Sequence, residues 1–196
     1  MIPKLIHHVW PGQDPFRAEF HRFRRSFLDQ HPDWSLRFWR DDLGPQASAG
    51  VRAVLADPRY SAVIKSDVVR YEVLRLYGGV YVDTDVECLR PFDDLLEDAF
   101  FCGRESQDVL CPSVLGCVPG HPLAALLARK AVARLGAVDP AEANARPHQI
   151  TGPSLLTELA RGREDVHIHP EAYFYPIPWW DTAHLASAAP GAYAKH

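Results

Sequence analysis

The sequence predicts an α/β fold, a mostly parallel central sheet flanked by helices, and three observations lead there. Strand-like apolar runs alternate with helical stretches along the chain, the order that builds parallel sheets. Residues 2–10 form an apolar run suited to a buried strand. At Gly78-Gly79 the hydrophobic period changes abruptly from helical to alternating, marking a helix that hands over to a strand.

The elements follow in order. After the first strand, Asp14-Pro15 predicts a helix start, an N-cap followed by proline at the first helical position. Phe16, Phe20, Phe23 and Phe27 then recur at helical spacing, as a core-packing stripe would. Trp34 to Trp39 reads as a second strand. Residues 40–57 read as short helical and loop pieces, and the central helix runs from about Tyr60 to Tyr77. Val80-Tyr81-Val82-Asp83-Thr84-Asp85-Val86 alternates as a strand, with Tyr81, Asp83 and Asp85 on one face. Phe100 to Cys102 and Val114 to Cys117 read as strands, and Pro122 to Leu135 as a helix. Ala137 to His148 is expected to be a loop and Pro153 to Ala160 a helix. Val166 to His169 and Tyr173 to Tyr175 are expected to be late strands.

Composition narrows the function classes. The 196 residues fit one domain, residues 1–196, and the net charge of −4 offers no basic footprint for nucleic acid. Cys88, Cys102, Cys111 and Cys117 show no CxxC spacing and read as buried thiols, not a disulfide framework. No signal-peptide pattern and no long apolar run is visible, so a cytoplasmic protein is expected, compatible with peripheral attachment to a membrane assembly.

The chemistry concentrates between Ser66 and Asp85. On a helix, Asp67 shares an arc with Val63, Tyr71 and Leu74, and Arg70 stands beside it. Charges on an otherwise apolar helix must be paired, hydrogen-bonded or liganded. They form either an i,i+3 ion pair or part of a ligand site. Asp83 and Asp85 on one strand face would lie roughly 6–7 Å apart and repel each other. A divalent cation would relieve that repulsion, and oxygen ligands suit magnesium or manganese, with open positions left for phosphate oxygens. Solvated carboxylates at a strand exit are the alternative. Trp10, followed by Pro11-Gly12, is either a core residue or a ring free to stack on a base.

The block Ser66-Asp67-Val68-Val69-Arg70-Tyr71 through Gly78-Gly79-Val80-Tyr81-Val82-Asp83-Thr84-Asp85 resembles the signature of DXD-containing sugar transferases. That group includes Och1-like mannosyltransferases, capsular polysaccharide sugar transferases and the catalytic domain of large clostridial glucosylating toxins. Ile2 to Trp10, Val114-Leu115-Gly116, Pro119-Gly120-His121-Pro122, Thr151-Gly152-Pro153 and Tyr173 to Pro176 echo the same families in order.

The resemblance implies a GT-A-like nucleotide-sugar fold and a glycosyltransferase in glycan or polysaccharide synthesis. It would move a sugar from a UDP- or GDP-sugar to a hydroxyl acceptor with retention of configuration, assisted by Mn2+ or Mg2+. It implies that Asp85 binds the metal directly, while Asp83 contacts the donor's ribose and sugar and reaches the metal through water. Asp67 and Arg70 would hold the donor sugar, and Trp10 would stack on the base. Tyr81, by its place on the aspartate face, either touches the nucleotide or only lines the cleft. A non-catalytic binding module and a toxin-like protein glycosyltransferase are the alternatives.

Lys4, Arg104, His121 and His148 are further candidates. The Thr151-Gly152-Pro153 turn is another, with helix N–H groups for a phosphate or acceptor oxygen. Trp179, Trp180 and Asp181 resemble a sugar-stacking surface. His7 is expected to pack inside the sheet. Relatives of the resembled group run on from a Tyr-x-x-His into a tail that closes over the diphosphate and contacts the metal. This chain stops at Tyr193-Ala194-Lys195-His196, so His196 would be the trace of that element.

Overall fold

The computed structural model describes residues 1–178, 181 and 189–196. Strand β1 (Leu5–Val9) pairs in parallel with β2 (Ser35–Trp39) and with β3 (Gly79–Val82). The six-stranded sheet is completed by β6 (Val109–Cys117), β5 (Phe100–Ser106) and β7 (His167–His169), in the order β2-β1-β3-β6-β5-β7. Among these strands β6 alone runs against its neighbours: it is antiparallel to both β3 and β5, while β5 and β7 are parallel. The short β4 (Glu87–Cys88) pairs apart from this sheet with β8 (Ala194–Lys195).

Apolar layers cover both faces. On one side α2 (Ala49–Ala56), α3 (Ala62–Tyr77), α4 (Pro122–Leu135) and α7 (Pro153–Ala160) bury Val68, Val73, Leu74, Leu127 and Leu156 against Tyr81 and Leu115. On the other, α1 (His21–Gln30) and α8 (Glu171–Phe174) bring Phe27 and Phe174 against Val80, Val82 and Phe101. Tyr81 thus faces one layer and Val80 and Val82 the other, as a two-residue period requires.

Helix α3 forms where the sequence places it. Ser61 caps it by accepting the Ile64 N–H at 3.4 Å. It ends at Gly78, whose φ of 60° favours glycine, and at Gly79, φ 90°. A Cβ at Gly79 would stand 2.4 Å from the Leu5 carbonyl oxygen, so β3 can approach β1 only through glycine. Glu72 is fully buried on the same helix, paired with Arg75 at 2.9 Å and accepting the Ser48 N–H that opens α2.

Several expectations change. Asp14 caps no helix: a 3-10 turn over Ala18–Phe20 leads into α1, and the Asp14 carbonyl accepts from Trp10 and Arg40 instead. Of the aromatic stripe only Phe27 is buried; Phe16, Phe20 and Phe23 stay half-exposed because they pack around Trp10 and Phe38 at the surface. The expected 137–148 loop holds α5 (Pro140–Ala145), capped by Asp139 with proline at its first turn, and the start of α6 (Pro147–Ile150). Tyr173–Tyr175 is not a strand. Glu171–Phe174 winds into a helical turn after Pro170, which lets Tyr175 reach across to β6 and donate to the Cys111 carbonyl at 3.1 Å.

His7 lies inside the sheet as expected. Its Nδ1 accepts the Trp39 indole N–H at 2.9 Å, so Nε2 carries the proton it donates to the Gly78 carbonyl at 2.7 Å. His8 likewise donates from Nδ1 to the Val82 carbonyl at 3.1 Å. Burial pushes both imidazoles down to about 4. Because the unfolded residues take up protons near 6.5 and the folded ones only near 4, acid favours unfolding across that window. Each histidine contributes about 3 kcal/mol of this loss at most. Urea denaturation followed from pH 7 to pH 4 should show stability falling steadily; a midpoint unchanged over that range would contradict neutral, buried histidines.

Candidate active site

The cleft opens beyond the carboxyl ends of β1 and β3, where ligands gather in α/β sheets. It encloses about 400 Å³ and is lined by Trp10, Phe20, Ser66, Arg70, Asp83 and Asp85, with Asp14 and Arg17 at its edge. Strand β3 stops at Val82, so the two aspartates stand in a turn instead of alternating along a strand. The Val86 N–H bonds back to the Asp83 carbonyl at 3.2 Å and closes that turn. Turning, not pleating, brings both carboxylates to one place.

Each aspartate is held differently. Asp83 accepts the Tyr81 hydroxyl and lies 3.3 Å from the Arg70 guanidinium. Asp85 is half-exposed and faces His196, Nε2 to Oδ1 3.5 Å. The pairing of β8 with β4, Glu87 opposite Lys195, carries His196 there. Burial opposes charge on Asp85, but the His196 imidazole facing it holds its carboxyl below the usual range. Burial also opposes charge on His196, yet Asp85 and Asp83 lift that imidazole above 6.5.

Behind this turn lies a buried ion network. Arg70 donates to Asp67 at 2.9 Å and to the Pro112 carbonyl at 2.9 Å, and its guanidinium sits 4.7 Å above the Tyr81 ring. Asp67 also accepts the Thr151 hydroxyl at 2.5 Å, and the Thr151 carbonyl accepts the Tyr71 hydroxyl at 2.8 Å. Burial pushes Asp67 up, against the pull of Arg70 and Thr151. Arg70 stays cationic because Asp83, Tyr81 and Asp67 surround it, despite its burial.

Most residues singled out by sequence meet here, with shifted roles. Trp10, Ser66, Arg70, Asp83 and Asp85 line the cleft directly. Asp67 and Tyr81 are buried one layer behind and act through Arg70 and Asp83. Tyr81, expected to touch the nucleotide or line the cleft, is buried behind it and orients the Asp83 carboxylate, its ring packed under the Arg70 guanidinium. The Thr151 turn does not offer a phosphate cradle: Gly152 stands against the Asp67 carboxylate, which would repel an anion.

The weaker candidates lie elsewhere. Lys4 pairs with Asp33 and Asp93 at the surface, and Arg104 donates to the Gln107 carbonyl. His121 caps α4, while His148 is exposed on α6. Trp179 and Trp180 lie outside the described residues, and Asp181 donates its N–H to the Pro178 carbonyl. Sequence reasoning missed Arg17 and Phe20 as cleft residues, because nothing local distinguishes them from a surface arginine and a core aromatic.

Two carboxylates and an imidazole placed so that a ligand atom of each lies within 4.8 Å of the others fit a divalent cation. Residues 18–101, which supply most of this cleft, match the family model described as "Glycosyltransferase sugar-binding region containing DXD motif". Over those residues the chain is similar to that family. The region includes the Asp67–Arg70 pair and the Asp83–Asp85 turn.

The chain is 33% identical over 125 residues to mannosyl phosphorylinositol ceramide synthase SUR1 of Saccharomyces cerevisiae, covering 62% of this chain and 32% of that protein. It is 31% identical over 131 residues to inositol phosphoceramide mannosyltransferase 3 of Schizosaccharomyces pombe, covering 62% and 35%. The chain therefore spans about a third of the length of these yeast relatives. The UDP-bound glycosyltransferase domain of the YGT toxin superposes with a TM-score of 0.60 at 9% identity, over 86% of this chain and 79% of that one. At that identity the likeness speaks for the fold, which is of the GT-A type.

Proposed function

We propose that this DXD region transfers a hexose from a nucleotide-diphosphate donor to a hydroxyl acceptor, with a divalent cation bound at the Asp83–Asp85 turn. The observation that carries this reading is the placing of Asp85, Asp83 and His196 around one point of a cleft that also presents Trp10 and Arg70. Asp85, the most open of the three, would hold the cation, with His196 opposite and Asp83 completing the set. The bound cation would neutralise the departing diphosphate as a Lewis acid. His196 would ligate only as the neutral imidazole, so acid should weaken cation binding at this site.

The chain's own residues do the rest. Trp10 lines the mouth of the cleft with its indole N–H donated to the Asp14 carbonyl at 3.1 Å, and a ring edge-packed on Phe16 and Phe20 offers a face to a nucleobase. Arg70, already braced by Asp67 and Asp83, presents a fixed charge to the sugar-phosphate. Preorganisation of this kind costs no rearrangement when the transition state forms. Binding energy from the nucleotide then positions the anomeric carbon.

Among the described residues of the lining, Asp83 is engaged by Tyr81 and Arg70, Asp85 faces His196, and Asp14 stands at the edge. None of these carboxylates stands ready as a nucleophile. That favours same-face attack, with the leaving phosphate oxygen taking the acceptor proton and configuration retained. Mannose is the sugar in the names of the yeast relatives, which makes mannosyl donors the first to test, with UDP-sugars beside them. Incubating the protein with Mn2+ and a panel of UDP- and GDP-hexoses should release the nucleoside diphosphate from one of them. A chain that binds donor, seen by thermal shift, yet neither hydrolyses nor transfers it would leave only a binding module.

A further inference from the structure

A second cluster of ligand-type side chains stands at the opposite edge of the sheet, three strands from β3. Edge strand β7 pairs in parallel with β5, His169 opposite Gly103. Residues two apart on a strand project from the same face, so His167 and His169 stand side by side. Their rings stack with centroids 4.2 Å apart at 21°. Asp98, just ahead of β5, reaches both: Oδ1 lies 3.0 Å from Nδ1 of His167, and Oδ2 lies 3.4 Å from Nε2 of His169. One ligand atom from each of the three falls within 4.8 Å of the others.

A hydrogen-bonded Asp–His pair would account for His167 alone. His169 asks for more. Its side chain is only 7% exposed, and its Nε2 is buried with no hydrogen-bond partner, the Asp98 contact being outside hydrogen-bonding geometry. A buried polar atom left so is costly, and one aimed at a carboxylate and a second imidazole has a lone pair or proton to place. His167, by contrast, is exposed and borders an open cavity of about 370 Å³ that Asp98 and Glu164 also line. The cluster is therefore buried at one end and reachable at the other.

We propose that Asp98, His167 and His169 bind a zinc-class divalent cation at a site separate from the cleft. Tetrahedral zinc with bonds near 2.0–2.1 Å sets its ligand atoms about 3.3 Å apart, and the two Asp–His separations, 3.0 Å to one carboxylate oxygen and 3.4 Å to the other, lie close to that spacing. Two imidazoles and one carboxylate suit Zn2+, Co2+ or Ni2+, whereas the carboxylate-led cleft suits Mg2+ or Mn2+. The fourth position faces the open cavity.

Such a cation would tie the edge strand β7 to the turn before β5. The His169 ring also stacks on Tyr173 at 5.1 Å, and the Tyr173 carbonyl accepts the Tyr193 N–H at 2.8 Å. The site therefore sits at the root of the segment that carries His196. Its role is structural, and it stands or falls independently of sugar transfer.

The test uses the full chain carrying Asp83→Asn and Asp85→Asn, which silences the cleft, stripped of metal and titrated with Zn2+ and with Co2+. One saturable equivalent of Zn2+, an upward Tm shift and the visible absorption of tetrahedral Co2+ are expected. Adding His167→Gln, a change at an exposed side chain, should abolish all three while the far-UV circular dichroism stays unchanged. Absence of Zn2+ binding in the cleft-silenced protein would overturn the proposal. Full binding after His167→Gln would overturn it equally.

Discussion

Replacing Asp85 with Asn should abolish metal-dependent turnover while leaving the protein folded. The substitution keeps the shape of the side chain and removes the charge that faces His196 across 3.5 Å. Asp85 is half-exposed and carries no buried network, so the fold loses little. The reaction loses far more, because the amide neither balances a cation nor anchors the diphosphate. A fall of about a thousandfold in kcat/KM is expected, equivalent to about 4 kcal/mol of transition-state stabilisation. Donor hydrolysis in Mn2+, with an isothermal titration of Mn2+ beside it, reads both halves. Turnover at the unsubstituted rate would mean that the wrong carboxylate has been placed at the metal.

Arg70→Met should act in the opposite sense, on stability first. Arg70 is the cation between the buried Asp67 and the partly buried Asp83, and it also donates to the Pro112 carbonyl. Methionine fills the space but leaves those acceptors facing each other. Breaking a buried pair by removing one partner costs about 3–5 kcal/mol, which urea denaturation would show directly. The double substitution Asp67→Asn, Arg70→Met should recover part of that loss, since the uncompensated carboxylate goes with it. A loss below about 1 kcal/mol for Arg70→Met would show that the network is solvated and that Arg70 is not held in place for the donor.

Much of the site was readable from spacing. The i,i+3 relation of Asp67 and Arg70, the glycines at 78 and 79 and the change of period after them placed a charged helix face beside an acidic strand end. Each of those features depends on neighbours a few residues away. The Asp83–Asp85 geometry was half-legible: the residue types pointed to a cation, but the strand reading assigned the shared face to pleating where a turn produces it. Strand propensity does not report where pairing stops. Here the β3–β6 ladder ends at Val82 opposite Val114 with one last bond from the Asp83 N–H to the Ser113 carbonyl at 2.8 Å, and past that point the backbone turns.

Glycine at 79 could be foreseen as a helix terminator, but its contact with Leu5 could not. The same limit explains the misplaced elements. Asp14 has the chemistry of a cap, yet Arg40, from the far end of β2, holds its carbonyl. Tyr173 to Tyr175 has strand composition, yet the pull of the Tyr175 hydroxyl toward Cys111 and Val114 winds the preceding residues into a turn.

By itself the sequence determined the α/β order, the central helix with its embedded ion pair, and the acidic pair that follows it. Only the tertiary structure decided that Thr151, far along the chain, would hold Asp67, and that His196 would meet Asp85 through the β4–β8 pairing. The physical reason is range. Periodicity, capping and glycine conformation act over one or two turns of chain, whereas a partner distant in sequence is chosen by which strands pair and how the sheet buries its two faces.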